Sequence, residues 1–104
     1  MKSIFIDRFI IPAEAWPEFM ERMQINRNLI RTLPGFLGDD VYLHAREDDN
    51  LVCVTIANWE SEAHIQQAKA QVQVEYQKQG FDMPMMLQRL GIQMERGQFR
   101  KLEG

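Results

Sequence analysis

The sequence predicts an α+β fold: a four-stranded antiparallel sheet with helices against one face. Two observations carry this expectation. Segments of strand and helix periodicity follow the order β-α-β-β-α-β, with a short extra helix before the last strand. In addition, two of the strands are apolar on both faces. In residues 4–11, Ile4, Ile6 and Ile10 oppose Phe5, Phe9 and Ile11; in residues 51–57, Val52, Val54 and Ile56 oppose Leu51, Cys53 and Ala57. Strand side chains alternate faces, so a sheet wetted on one side alternates apolar with polar residues. These two strands expect cover on both sides, which one layer of helices does not supply.

The first strand spans residues 3–11 and Pro12 ends it. A helix follows over residues 13–32, with Trp16, Phe19, Met20, Met23, Ile30 and Leu33 mostly at three- and four-residue steps. Glu14 and Glu18 suit the positive end of its dipole, Arg27 and Arg31 the negative end. Pro17 is tolerated because it lies near the first turn, where backbone N–H groups lack partners. Leu33-Pro34-Gly35 stops the helix. The second strand covers residues 36–46, weakened at Gly38-Asp39-Asp40, and Glu47-Asp48-Asp49-Asn50 reads as a hairpin turn. The third strand covers residues 51–59. Ser61 caps a helix that runs to residue 79 with Ile65, Ala68, Val72 and Tyr76 inward, and Gly80 closes it. Met83-Pro84 opens a short helix that Gly91 ends. The last strand covers residues 92–100, with Ile92 and Met94 inward and Glu95, Arg96 and Arg100 suited to an edge.

This order is the split βαβ, ferredoxin-like pattern, in which the first and third strands are the central pair. Those are the two strands that are apolar on both faces. The face without helices is most economically covered by the same face of a second copy, so the expected assembly is a homodimer.

A chain of 104 residues reads as a single domain, residues 1–104. A net charge of −3 without a basic run gives no electrostatic support for binding nucleic acid or an anionic membrane. Neither a signal peptide nor an 18-residue apolar span is recognisable, so a cytoplasmic location and no membrane partner are expected. The lone Cys53 sits mid-strand among aliphatics and reads as a buried structural thiol. Metal-ligand spacings, Gly-rich phosphate loops and a Ser-His-Asp arrangement are not recognisable.

The run Leu33-Pro34-Gly35-Phe36, a strand and hairpin, and then Ala57-Asn58-Trp59-Glu60-Ser61-Glu62-Ala63 resemble, in order and spacing, the antibiotic biosynthesis monooxygenase (ABM) family of dimeric α+β barrels. The resemblance covers roughly residues 2–100. It implies two ferredoxin-like subunits with facing sheets and a ligand pocket in each, between sheet and helices. Some members of the family oxidise phenols, quinols or polyketide aromatics with O2 without metal or flavin, others bind and degrade haem, and others have no known reaction. The resemblance therefore implies a cofactor-independent monooxygenase first, with a non-enzymatic ligand-binding or stress-linked dimer, or a haem-binding or haem-degrading protein, as the alternatives.

Asp7 is the most unexpected residue, a carboxylate sharing a strand face with Phe5 and Phe9. An unpaired buried carboxylate is costly. It reads as a proton acceptor at the pocket, as the partner of Arg8 from the other subunit, or as a partly solvated strand position. In the haem-degrading branch an asparagine occupies what looks like this position. That branch also resembles a constellation with a tryptophan and a histidine on the second helix, where this chain has Gln67 or Ala68, and Lys78. Tyr42 and His44 share a face of the second strand and could bind or deprotonate a phenolic ring if that face lines the pocket. Otherwise they face solvent or the partner. Asn58 is a candidate donor to an oxyanion, and Trp59 a candidate ring contact or packing residue. His64 lies near a helix N-terminus, at the pocket or on the surface. The cluster Phe81, Met83, Met85, Met86 and Leu87 is expected to roof the pocket, and methionines suit a flat hydrophobic ligand. The expected ligand is therefore a small hydrophobic or aromatic molecule, and the resemblance implies that no cofactor is needed; Asp7, His44 and Asn58 are the catalytic candidates.

Overall fold

The structure is a computed structural model and describes residues 2–103. The elements run β1 (Ser3–Pro12), a 3-10 turn (Ala13–Ala15), α1 (Trp16–Ile30), β2 (Phe36–Ala45), β3 (Asn50–Trp59), α2 (Glu62–Gln79), α3 (Met83–Leu90) and β4 (Gln93–Phe99). The sheet order is β2-β3-β1-β4, and every neighbouring pair is antiparallel. This is the ferredoxin-like α+β fold, with the two doubly apolar strands in the centre. The molecule measures 41 × 39 × 18 Å. Its least dimension holds one sheet and one layer of helices.

The helix after β1 starts later than its periodicity suggests. Trp16 N–H bonds to the Ala13 carbonyl, three residues back. Pro17 has no N–H to make the i→i−4 bond to the same carbonyl, so the first turn tightens to 3-10 geometry. The far end tightens similarly: Thr32 N–H reaches Leu29 and Leu33 N–H reaches Ile30. At Gly35, φ is +85° and an added Cβ would fall 2.3 Å from the His64 ring. Glycine therefore serves both the turn and the seat of α2 against it.

β2 contains a bulge between Phe36 and Gly38, where φ is +138°. Phe36 pairs with Trp59, and Gly38 rather than Leu37 pairs with Asn58. The extra residue reverses which side chains face the helices over the rest of the strand. Asp39, opposite Ala57, and Val41, opposite Thr55, turn toward the helices; Tyr42 and His44 turn away.

The helix-facing side of the sheet carries the core. Phe9, Ile11 and Cys53 pack with Phe19 and Met23 of α1 and Met86 and Leu87 of α3. The Phe9 and Phe19 rings meet edge to face at 4.8 Å. A second cluster joins Trp59 to Ile65 and Ala68 of α2, with Phe5 and Phe36 against it. The opposite side presents Ile4, Ile6, Ile10, Val52, Val54 and Ile56, and all three helices lie away from it. Met85, expected in the roof, is 66% exposed and points outward. Among the described residues, no helix is long and apolar enough to cross a membrane.

Cys53 is fully buried, and burial pushes its thiol up to about 11 from an ordinary 9.0, with the Arg27 charge acting in the opposite direction. Above about pH 9 the unfolded chain loses this proton while the folded chain keeps it. Stability from this group is complete below about pH 9 and declines as pH rises toward 11, by up to about 3 kcal/mol. Cys53→Ser is expected to show a shallower alkaline loss of denaturation midpoint than the native chain. Native Cys53 is expected to resist a thiol reagent at neutral pH until the protein unfolds. Rapid labelling of the folded protein would contradict the assigned burial.

Candidate functional site

Between the sheet and the helices lies a cleft of about 830 Å³, within the usual range for small-ligand sites. Its floor is Phe5, Phe9, Thr55, Ala57, Trp59 and Met94 of the central and β4 strands. Phe19 and Met23 of α1, Ile65 and Val72 of α2, and Met83 and Met86 of α3 close it from above. Alternation along β1 puts Phe5, Asp7 and Phe9 on this side together.

Asp7 enters this apolar wall already paired. β1 and β4 align it across from Arg96, which holds it through two hydrogen bonds of 2.8 and 3.1 Å. The Asp7 side chain is 12% exposed and that of Arg96 45%. A bidentate guanidinium–carboxylate pair is among the stronger polar contacts and fixes the carboxylate plane. Asp7 raises the Arg96 guanidinium pKa, against the opposing effect of burial, so Arg96 stays a cation. Each carboxylate oxygen retains a second lone pair for a ligand. The intersubunit pairing with Arg8 expected as an alternative is replaced by this contact within one chain. Arg8 lies on the other side of the sheet, across from Glu95.

A second ion pair spans the cleft wall. Arg27 of α1 holds Asp39 at 2.7 and 3.1 Å, a contact available only because the bulge turns Asp39 inward. Arg27 is raised in pKa by its hydrogen bonds to Asp39. Further polar side chains come from α1 and α2: Arg22, Asn26 and Tyr76, all lining the cleft. The Arg22 guanidinium stacks 3.5 Å from the Phe81 ring centre and 5.1 Å from that of Tyr76. Burial raises the Tyr76 phenol pKa, with Arg22, Arg96 and Asn26 acting in the opposite direction.

The profile of the antibiotic biosynthesis monooxygenase family matches residues 4–75. The chain belongs to this family. Among proteins of curated function, none matches it. Three solved structures show the likeness of fold. A proposed monooxygenase from Shewanella loihica is 21% identical with TM-score 0.73, covering 99% of this chain and 96% of that one. SnoaB, a cofactor-independent oxygenase from Streptomyces nogalater, is 26% identical with TM-score 0.68, covering 99% and 95%. The haem-degrading protein Rv3592 from Mycobacterium tuberculosis is 25% identical with TM-score 0.54, covering 66% and 78%.

In this ABM-family chain the cleft gathers Asp7, Phe5, Phe9, Trp59, Met83 and Met86 from among the residues singled out in the sequence. It does not gather Tyr42, His44 or Asn58. These pair with Val54, Val52 and Ile4 and so share the helix-free face. His64 also lies outside the cleft lining. Its ring packs on Gly35, its Nδ1 is 2.7 Å from the Ser61 hydroxyl and its Nε2 is 3.6 Å from Glu60. Neither histidine of the chain therefore lines the cleft. Arg22, Asn26, Arg27, Asp39 and Arg96 were not singled out as site residues. One signal does exist for the first three. Phe19, Arg22, Met23, Asn26, Arg27 and Ile30 form one stripe along α1, in which polar residues interrupt an apolar face.

Proposed function

We propose that this protein is a cofactor-independent monooxygenase that oxidises a small phenolic or quinol-type ring with O2, and that it works as a homodimer through the helix-free face. The observation that carries the reading is the Asp7 carboxylate, oriented by Arg96, in the wall of an otherwise apolar cleft of ligand size. Family membership and the likeness to SnoaB support the reaction class. The apolar face of β1 and β3 supports the dimer, as does the likeness of fold to a dimeric ferredoxin-like protein from a marine organism.

Asp7 takes the proton of a ring hydroxyl, and the cationic Arg96 beside it favours the phenolate that forms. The phenolate gives one electron to O2. The resulting aryloxyl radical and superoxide combine at a ring carbon bearing hydrogen, and the peroxide recovers the proton from Asp7. Loss of water from the hydroperoxide, with the ring C–H hydrogen, leaves a quinone carbonyl. One oxygen atom of O2 ends in the product and one in water, so the substrate supplies all four electrons.

Oxygen uptake on a panel of quinols and naphthols tests this reading. Asp7→Asn is expected to lower kcat by roughly 100-fold or more, the usual contribution of a positioned base. Turnover that survives Asp7→Asn overturns the assignment. Loss in His44→Ala but not in Asp7→Asn moves the base to the other side of the sheet. Haem titration is the companion measurement, since a Soret shift with oxygen-dependent ring opening would favour the haem reading instead.

A further inference from the structure

Two buried polar atoms of the cleft wall have no partner among the described residues: the Nε–H of Arg22 and the side-chain carbonyl of Asn26. Asn26 is 8% exposed. An unmet buried donor or acceptor costs about 1–3 kcal/mol. The two residues are four apart on α1, which puts them one above the other on the same face. One atom donates and the other accepts. Arg22, Asn26 and Tyr76 all line the cleft, and the Arg22 guanidinium lies 5.1 Å from the Tyr76 ring centre, so the two unmet groups belong to one wall of it.

Arg22 is held in place there. Its terminal nitrogen bonds to Gln79 of α2, and its plane stacks on Phe81. None of the ion pairs among the described residues includes it. The cleft lining carries four cations (Arg22, Arg27, Lys69, Arg96) and three acids (Asp7, Asp39, Asp82), an excess of one positive charge in a chain whose net charge is −3. Two of the three acids are spent on Arg96 and Arg27.

We infer that Arg22 and Asn26 form the polar end of the ligand pocket and select an arene bearing two neighbouring oxygens. One oxygen accepts from Arg22 Nε–H, the other donates its O–H to the Asn26 carbonyl, and the ring lies against the apolar walls. The inference rests on the proposed reading for its site and narrows the substrate to a vicinally dioxygenated ring. A ring with a single hydroxyl leaves one of the two buried groups unmet.

The test is binding without turnover: calorimetry in oxygen-free buffer with 2,3-dihydroxynaphthalene and 2-naphthol. The native protein is expected to bind the diol roughly 10-fold or more tightly than the naphthol, the equivalent of one hydrogen bond to a buried group. Asn26→Leu is expected to abolish that preference while changing naphthol affinity little. Arg22→Lys keeps the charge but has no Nε–H, and is expected to reduce the preference too. Should Asn26→Leu fail to fold, Asn26→Asp serves as the second variant. Its carboxylate still accepts the O–H, so the diol preference is expected to persist there. Equal affinity for the two probes, no binding of either, or an unchanged preference in Asn26→Leu and Arg22→Lys overturns the inference. Diol selectivity without oxygen uptake in air would remove the oxygenase reading and leave this one standing. Oxygen uptake without diol selectivity would do the reverse.

Discussion

Ile56→Asp is expected to convert the proposed dimer into monomers while leaving the subunit folded. Ile56 pairs with Ile6 across the two central strands, on the face away from the helices. A carboxylate there would stand beside Asp40 of β2, the other cross-strand neighbour of residue 56, and near Ile4, Ile6 and Val54 of its own sheet, and in the dimer it would also be pressed against the partner's same face. Desolvating an unpaired carboxylate in such an interface costs several kcal/mol, and a two-fold axis imposes that cost twice. In the separated subunit the same carboxylate meets water. Light scattering after gel filtration is the measurement, with near-ultraviolet dichroism as the check on folding, because Trp59 is buried in the helix-side core. A native protein that runs as a monomer, or a variant that stays dimeric, would show that this face is not the interface.

That face was the most legible part of the molecule. Double-sided apolarity in β1 and β3, together with element order, was enough to place them as the central pair. It was enough because burial and topology are written in the same local pattern. The direction of β2 was not legible in the same way. Its side chains alternate as in any strand, and a single bulged residue at Gly38 decides which set faces the helices. Tyr42 and His44 therefore face away from the cleft, and Asp39 faces into it. The sequence shows a glycine before two aspartates; the pairing of Gly38 with Asn58 comes from tertiary structure.

The candidate site divides along the same line. Asp7 stood out because one carboxylate interrupts a local apolar run. Its partner did not, because Arg96 is 89 residues away and meets Asp7 only through the β1–β4 register. On an edge strand an arginine looks like protection against stray pairing, and Arg96 is exposed enough to serve that role as well. Asn26 and Arg22 are hidden by a different ambiguity. On an amphipathic helix, polar residues beside the apolar stripe usually face water, and only the cleft beneath α1 makes them interior.

The Asp7–Arg96 pair predicts an asymmetry that a surface ion pair would not show. Arg96→Met leaves a carboxylate, 12% exposed, between Phe5 and Phe9 with its main donor gone. The penalty is that of an uncompensated interior charge, about 2–4 kcal/mol, moderated because Arg96 itself is half in water. In a domain of this size that is a fall of roughly 10–20 °C in Tm. Asp7→Asn leaves an arginine whose long side chain can turn its charge to solvent, so its cost is smaller, about 1 kcal/mol. The double variant removes the stranded charge and is expected to recover much of what Arg96→Met loses. Urea denaturation of the four proteins gives the cycle, and the coupling should favour the pair by more than about 1 kcal/mol. Equal, small losses in both single variants would place Asp7 in water rather than in the wall of the cleft. In that case a base working in an apolar pocket would lose its structural ground, independently of any activity measurement.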